Sequence, residues 1–165
     1  MDSIRQQLSL FIEPPSTIIE EIRSIYNPKQ YRLIPAHITL CREDELQPLN
    51  DILLSITTLS LKEPLQINLD PIERFANGKG VLIPATKTNI KFDKLRALIL
   101  GEITPIKKQW PHVTLMHPRN SRCDDKIFAA LKKYRLPTAL YFTKISLIVQ
   151  KNSDPWKIID EFTMV

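Results

Sequence analysis

Two short stretches, PAHITL (Pro35–Leu40) and WPHVTL (Trp110–Leu115), decide how this chain is read. Each is a strand-like run with one histidine and a threonine two residues later. The chain has only 3 histidines, and two of them occupy this same frame. Side chains alternate faces along a strand with a period of two. His37 and Thr39 therefore share one face, with Ile38 and Leu40 on the other. His112 and Thr114 repeat the arrangement against Val113 and Leu115. Each strand offers an imidazole and a hydroxyl to one surface and two aliphatic side chains to a core.

The surrounding pattern also repeats. The apolar run Gln6–Glu13 reads as a strand, and PPSTIIEEIRSIY as a helix opened at Pro15 or Ser16, with Ile18, Ile22 and Ile25 at helical spacing. The stretch YRLIPAHITL reads as the second strand region, followed by a helix with Leu46, Leu49, Leu53 and Ile56 on one stripe. NGKG joins two apolar runs and signals a hairpin. KFDKLRALILGEI reads as a third helix with Gly101 as terminator. The second histidine strand, the helix DDKIFAALKKY and the long strand TALYFTKISLIVQ come next. A turn at NSDPW then leads into a closing strand. The recurring order points to a duplicated α/β (α+β) fold within a single domain spanning residues 1–165.

Composition narrows the class. The chain has 165 residues, of which 43% are hydrophobic, enough to bury one core. No apolar run approaches the roughly 20 residues of a membrane span, and the N-terminus lacks a signal-peptide pattern. A soluble, cytoplasmic monomer is the expectation. Cys41 and Cys123 have no metal-ligand spacing and read as free thiols. The net charge of +5 divides into −4 for residues 1–75 and +9 for the remainder. Such a basic half suits an anionic partner such as RNA or a nucleotide.

The paired motifs suit proton transfer. An imidazole titrates near neutral pH and serves as general acid or base. Two of them across a cleft can take a proton from a nucleophile and return one to a leaving oxygen. A threonine hydroxyl beside each can donate to a phosphate oxygen as charge builds there. No metal or other cofactor is required.

These motifs, 75 residues apart, resemble those of the 2H phosphoesterase superfamily, in the style of bacterial 2′-5′ RNA ligase (LigT-like) proteins and 2′,3′-cyclic phosphodiesterases. LSLFIEPP near the start and PWKIIDEF near the end are similar to that family as well. The resemblance implies a bilobal fold, with two antiparallel sheets facing each other around a central cleft and helices outside. It implies His37 and His112 as the acid–base pair and Thr39 and Thr114 as phosphate ligands. The implied substrate is a 2′,3′-cyclic phosphate or 2′-5′ phosphodiester, in RNA ends or a small nucleotide. Many members carry an arginine two residues after the second motif. Here that position is His117, with Arg119 beyond it and Arg42 in the corresponding place after the first motif.

Other residues carry weaker expectations. Strand parity sets His117 opposite to His112, as a loop or rim residue. Cys41 continues the His37 face if the strand is straight and otherwise is a buried thiol. Phe11, Tyr31, Trp110 and Tyr141 are candidates to stack on a base, against the plainer reading as core or strand surface. Lys107–Lys108 can attract a nucleic-acid backbone, whereas Lys132–Lys133 reads as a solvated helix end. Trp156, Ile158 and Phe162 read as core. Two rivals to the enzyme stand: a nucleotide- or RNA-binding module of the same fold, and an unrelated metal-dependent hydrolase.

Overall fold

The computed structural model describes residues 1–101 and 107–165. The chain runs β1 (Ile4–Phe11), α1 (Thr17–Tyr26), α2 (Pro28–Leu33), β2 (His37–Cys41) and a 3-10 turn at Glu43–Glu45. It continues through α3 (Leu49–Thr57), β3 (Leu65–Asn68), β4 (Glu73–Arg74), β5 (Val81–Pro84) and α4 (Ile90–Leu100). Then come β6 (His112–Met116), α5 (Asp125–Leu131), β7 (Ala139–Phe142), β8 (Lys144–Lys151) and β9 (Lys157–Thr163). The α/β class expected from the repeating pattern is what the chain adopts.

Among the described residues, nine strands make a 7-stranded antiparallel sheet, ordered β4-β5-β6-β2-β1-β8-β9, and a 2-stranded sheet, β3-β7. The arrangement differs in one respect from two facing sheets with one motif on each. The histidine strands β2 and β6 are neighbours in the large sheet, joined at the register pair Ile38↔Val113. Ile38 and Val113 are both fully buried. On one side of this seam stand β4, β5 and β6; on the other stand β2, β1, β8 and β9, which combine segments from early and late in the chain.

Both motif strands show the same burial alternation, with histidine and threonine partly open and the intervening residues buried. Each also carries a β-bulge directly after its threonine. Leu8 and Ser9 of β1 face Cys41 and Thr39, leaving Leu40 as the extra residue. Val81 and Leu82 of β5 face Met116 and Thr114, leaving Leu115. A bulge inserts one residue and inverts the alternation beyond it. Leu40 and Cys41 are therefore buried in succession, as are Leu115 and Met116. Each such aliphatic burial contributes about 1.5–3 kcal/mol, which pins the register of the motif strands.

Local signals explain most elements. Ser16 caps α1 by accepting from the Ile19 N–H. Gly101 closes α4 at φ +22; the expected continuation of this helix to Ile103 falls outside the described residues. The NGKG hairpin forms between β4 and β5 with Gly78 at φ +70. Gly80 is required for contact: a Cβ there would lie 2.4 Å from the Met116 carbonyl oxygen and 2.8 Å from the Phe75 ring. Glycine thus lets this hairpin close over the bulged end of β6.

Three expectations are corrected. Tyr31–Leu33 belongs to α2, started by Pro28 at its first turn, and the strand begins only at His37. The long strand over residues 138–150 breaks at Thr143, because β7 pairs with β3 while β8 pairs with β1 and β9. Ile158 is 50% exposed on the edge strand β9 rather than core, and Trp156 is only partly buried. An edge strand has one neighbour and nothing packed over its outer face, so its apolar residues stay open. Phe162 packs partly buried against the core, as expected.

Candidate functional site

His37, Thr39, His112 and Thr114 line one cleft of about 270 Å³. They come together because antiparallel pairing of β2 and β6 sets the open faces of the two motifs side by side. A hollow of about 300 Å³ beside Gln66, Asn89 and Lys91 contains no histidine.

The two imidazoles are held identically. His37 Nδ1 lies 2.9 Å from the Pro35 carbonyl oxygen, and His112 Nδ1 lies 2.9 Å from that of Trp110. A carbonyl only accepts, so Nδ1 carries the proton and Nε2 keeps the lone pair in the neutral ring. The carbonyl in each case lies two residues upstream: it is the one of Pro35 itself before His37, and the one of Trp110, just ahead of Pro111, before His112. Each ring also meets a phenylalanine. Phe11 stands 5.8 Å from His37 and Phe75 stands edge-on 6.0 Å from His112, between ring centroids.

Burial lowers the His37 pKa to about 4, against a raising effect of the Pro35 carbonyl, with Arg23, His112 and His117 lowering it further. Burial likewise lowers His112, opposed by the Trp110 carbonyl and helped by Arg42. Both rings are therefore neutral in the free protein near pH 7. A bound anion would reverse much of this, since negative charge favours the imidazolium.

Hydrogen bonds from neighbouring side chains, Gln7, Arg23 and Gln109 of the cleft lining among them, fix the motif strands. Gln7 Nε2 donates to Thr39 Oγ1 at 3.1 Å and to Ser9 Oγ at 2.8 Å. The Thr39 oxygen is thus already an acceptor, and its own proton is left to donate elsewhere. Arg23 donates to the Ile34 carbonyl at 2.6 Å, and Glu20 accepts from the Ala36 N–H at 2.9 Å. Together they set the approach to His37. Beyond the motif, buried Arg96 pairs with Glu45 and donates to Gln109 Oε1 and to the bulge carbonyl of Leu40. Gln109 in turn donates to the Thr39 carbonyl at 2.6 Å.

The bulges decide what else faces the cleft. His117 stands in the loop that follows β6, as expected, and lines the cleft with His112 and Thr114. The residue inserted at Leu115 inverts the alternation, so the position after Met116 returns to the cleft side. Arg42 lines the cleft by the same device after Leu40, and Arg119 lines it too. His117 differs from the other two rings in tautomer. Its Nδ1 accepts from the Arg119 N–H at 3.0 Å, placing the neutral ring's proton on Nε2. Its pKa is lowered by burial, then by Arg119, Arg5 and His112.

Cys41 does not reach the cleft floor. The bulge turns it inward, it is fully buried, and burial raises its thiol pKa to about 12. Phe11 touches the cleft only through His37 and otherwise borders a separate hollow with Tyr141. Trp110 is 55% exposed and lines a hollow next to the cleft, with Lys108 Nζ 4.7 Å from its ring centroid. Tyr31 is exposed on α2 and is not among the residues lining the cleft.

Sequence reasoning missed Arg5, Arg23, Gln150 and Trp156, which close one end of the cleft. Arg5 reaches Gln150 Oε1 at 3.3 Å and sits 5.3 Å over the Trp156 ring. Pairing of β1 with β8 sets Arg5 opposite Gln150, Trp156 follows β8, and Arg23 comes from α1; no local motif marks them. Among the described lining residues are four arginines and three histidines and no carboxylate. Such a cleft favours an anion. No three described His, Cys, Asp or Glu side chains converge as metal ligands, and no described helix is long and apolar enough to cross a membrane.

A paired-histidine cleft on this seven-stranded α/β scaffold matches what the sequence motifs resemble. The family description "2'-5' RNA ligase superfamily" matches residues 11–154, and the chain belongs to that superfamily. Among solved structures, apo LigT from E. coli shares the fold, with TM-score 0.59, 12% identity and 99% of each chain covered. E. coli LigT complexed with 3′-AMP gives TM-score 0.56 at 12% identity, covering 98% of both chains. A structure described as a phosphoesterase gives 0.57 at 12% identity, again with 98% of both covered. No curated protein sequence matches significantly.

Proposed function

We propose that the chain is a metal-independent phosphoesterase acting on a 2′,3′-cyclic phosphate or a 2′-5′ phosphodiester of RNA or a nucleotide. The observation that carries this is the duplication at the level of hydrogen bonds. Both motif rings are pinned through Nδ1, leave Nε2 as the basic nitrogen, and line one carboxylate-free cleft beside a threonine hydroxyl. The family and the shared fold with a phosphoesterase support it, and the LigT complex with 3′-AMP supports a nucleotide as ligand.

The chemistry follows from the two Nε2 atoms. One neutral imidazole takes a proton from water as its oxygen bonds to phosphorus. The other, protonated when the anionic substrate enters, gives its proton to the ribose oxygen as the P–O bond breaks. One water is consumed per cyclic phosphate opened, and if the 3′ oxygen departs the product is a 2′-phosphate. In the reverse direction the histidines exchange roles, as microscopic reversibility requires. Thr39, Thr114 and the arginines hold the non-bridging oxygens, where charge builds.

A panel of 2′,3′-cyclic nucleotides and 2′-5′ dinucleotides assayed with EDTA tests the proposal. Turnover that persists in chelator and disappears in His37→Ala is the expected result. Turnover abolished by EDTA and restored by zinc would replace it with a metal-dependent hydrolase. Tight binding of the same compounds without turnover would leave a nucleotide-binding module.

A further inference from the structure

The strands that carry the two motif histidines are joined by little of their own backbone. Among the described residues, β2 and β6 pair at one register position, whereas β2 shares four with β1 and β6 four with β5. Each motif ring is anchored to a carbonyl of its own chain segment, so those anchors do not set one ring against the other. A buried side chain crosses the seam instead. Gln109, 8% exposed and three residues ahead of His112, donates from Nε2 to the Thr39 carbonyl at 2.6 Å. Its Oε1 accepts from Arg96 at 3.2 Å. A guanidinium only donates and a backbone carbonyl only accepts, so the amide has one orientation. Arg96 also donates to the carbonyls of Leu40, after Thr39 of the first motif, and Lys107, ahead of the second, and its charge is met by Glu45.

We propose that Gln109 is a positioning residue for the reaction: its amide, held by Arg96, fixes the spacing of the His37 and His112 strands at the cleft. This rests on the phosphoesterase reading and adds to it a residue outside both motifs. Proton exchange at one phosphate needs both Nε2 atoms placed together, and a misplacement of about 1 Å can cost on the order of 10²-fold in rate. Gln109 stands where it governs both. Its neighbour Trp110 supplies the carbonyl that holds the His112 ring, and the carbonyl it binds belongs to Thr39, two residues beyond His37. A shift of this amide moves the anchor of one ring and frees the strand that carries the other. Gln109 lines the cleft, but both ends of its amide are already engaged by protein. Its contribution therefore runs through the histidines rather than through a bond to substrate.

Gln109→Met keeps the length of the side chain and removes both hydrogen bonds. It should lower kcat about 10–100-fold while KM, and the dissociation constant of inorganic phosphate, stay within about twofold. Added to His112→Ala it should cost little more than His112→Ala alone, because the group it positions is already gone. With only 3 histidines in the chain, proton NMR resolves each ring. The Hε1 resonances of His37 and His112 should move in Gln109→Met. Gln109→Asn keeps the amide one methylene short; it should show the same split between kcat and KM, and it stands in if Gln109→Met does not fold. An unchanged kcat would overturn the proposal. So would a raised KM at constant kcat, which marks direct contact with substrate, or a loss of kcat accounted for by the unfolded fraction in urea titration. The two ideas fail separately. An unmodified chain that turns over no diester removes the phosphoesterase reading, and the ring resonances then decide the spacing role: unmoved resonances reject it, and joint movement keeps it. An active chain indifferent to Gln109→Met keeps the enzyme and removes the positioning residue.

Discussion

Arg42 and His117 occupy equivalent places in the two halves, each 5 residues beyond a motif histidine and each just past a bulge. Both line the cleft, yet one is a permanent cation and the other an imidazole held neutral near pH 7. The two motif strands therefore lead into an asymmetric charge at the cleft.

That asymmetry predicts unequal losses. At pH 7.5, Arg42→Ala should weaken binding of inorganic phosphate about tenfold, the value of a charge-assisted hydrogen bond. His117→Ala should cost about threefold, and His117→Arg should bind more tightly than the unmodified chain. Isothermal titration calorimetry measures all three. Equal effects of the two alanine variants would show that His117 is charged when the anion is bound.

The motif residues should show the strongest effects on rate. His37→Ala and His112→Ala should each lower kcat about 10²–10⁴-fold, and the double variant far less than the product, since both act in one transition state. Thr39→Val and Thr114→Val should cost less, about 10–100-fold, for one donor each. Gln7→Leu should fall in the Thr39 direction, because it removes the amide that orients the hydroxyl. Steady-state kinetics on whichever diester proves active provides the comparison.

Stability should fall with acid through the cleft histidines. His37 has a folded pKa of about 4 against an ordinary 6.5. Between those values the unfolded chain binds a proton that the native chain refuses. Stability is thus complete above about pH 6.5 and is lost as pH drops toward 4, by about 1–3 kcal/mol for this residue. His112 and His117, both lowered, add to the same trend. Urea midpoints at pH 7 and 4.5 should differ less for His37→Gln than for the unmodified chain; an equal or larger difference would contradict the assignment.

The pair behind the first motif should be structural. Arg96 and Glu45 are 2% and 4% exposed. Removing one charge strands the other, so Arg96→Met should destabilise by about 3–5 kcal/mol. Urea denaturation would detect it, and Arg96→Met with Glu45→Leu should recover much of the loss.

By itself the sequence determined a great deal. Period-two alternation assigned His37, Thr39, His112 and Thr114 to one face, because side-chain direction on a strand is a local property. The caps at Ser16 and Gly101 and the turn at Asn77–Gly78 were legible for the same reason. Three features needed the tertiary structure. Alternation carries no information on pairing partners, so the union of β2 and β6 in one sheet had to come from the burial of Ile38 and Val113. The bulges at Leu40 and Leu115 arise from mismatch with β1 and β5, and they alone bring Arg42 and His117 into the cleft and turn Cys41 away. Arg5, Gln150 and Trp156 lie at the two ends of the chain, and only the long-range pairing of β1 with β8 carries them to the histidines.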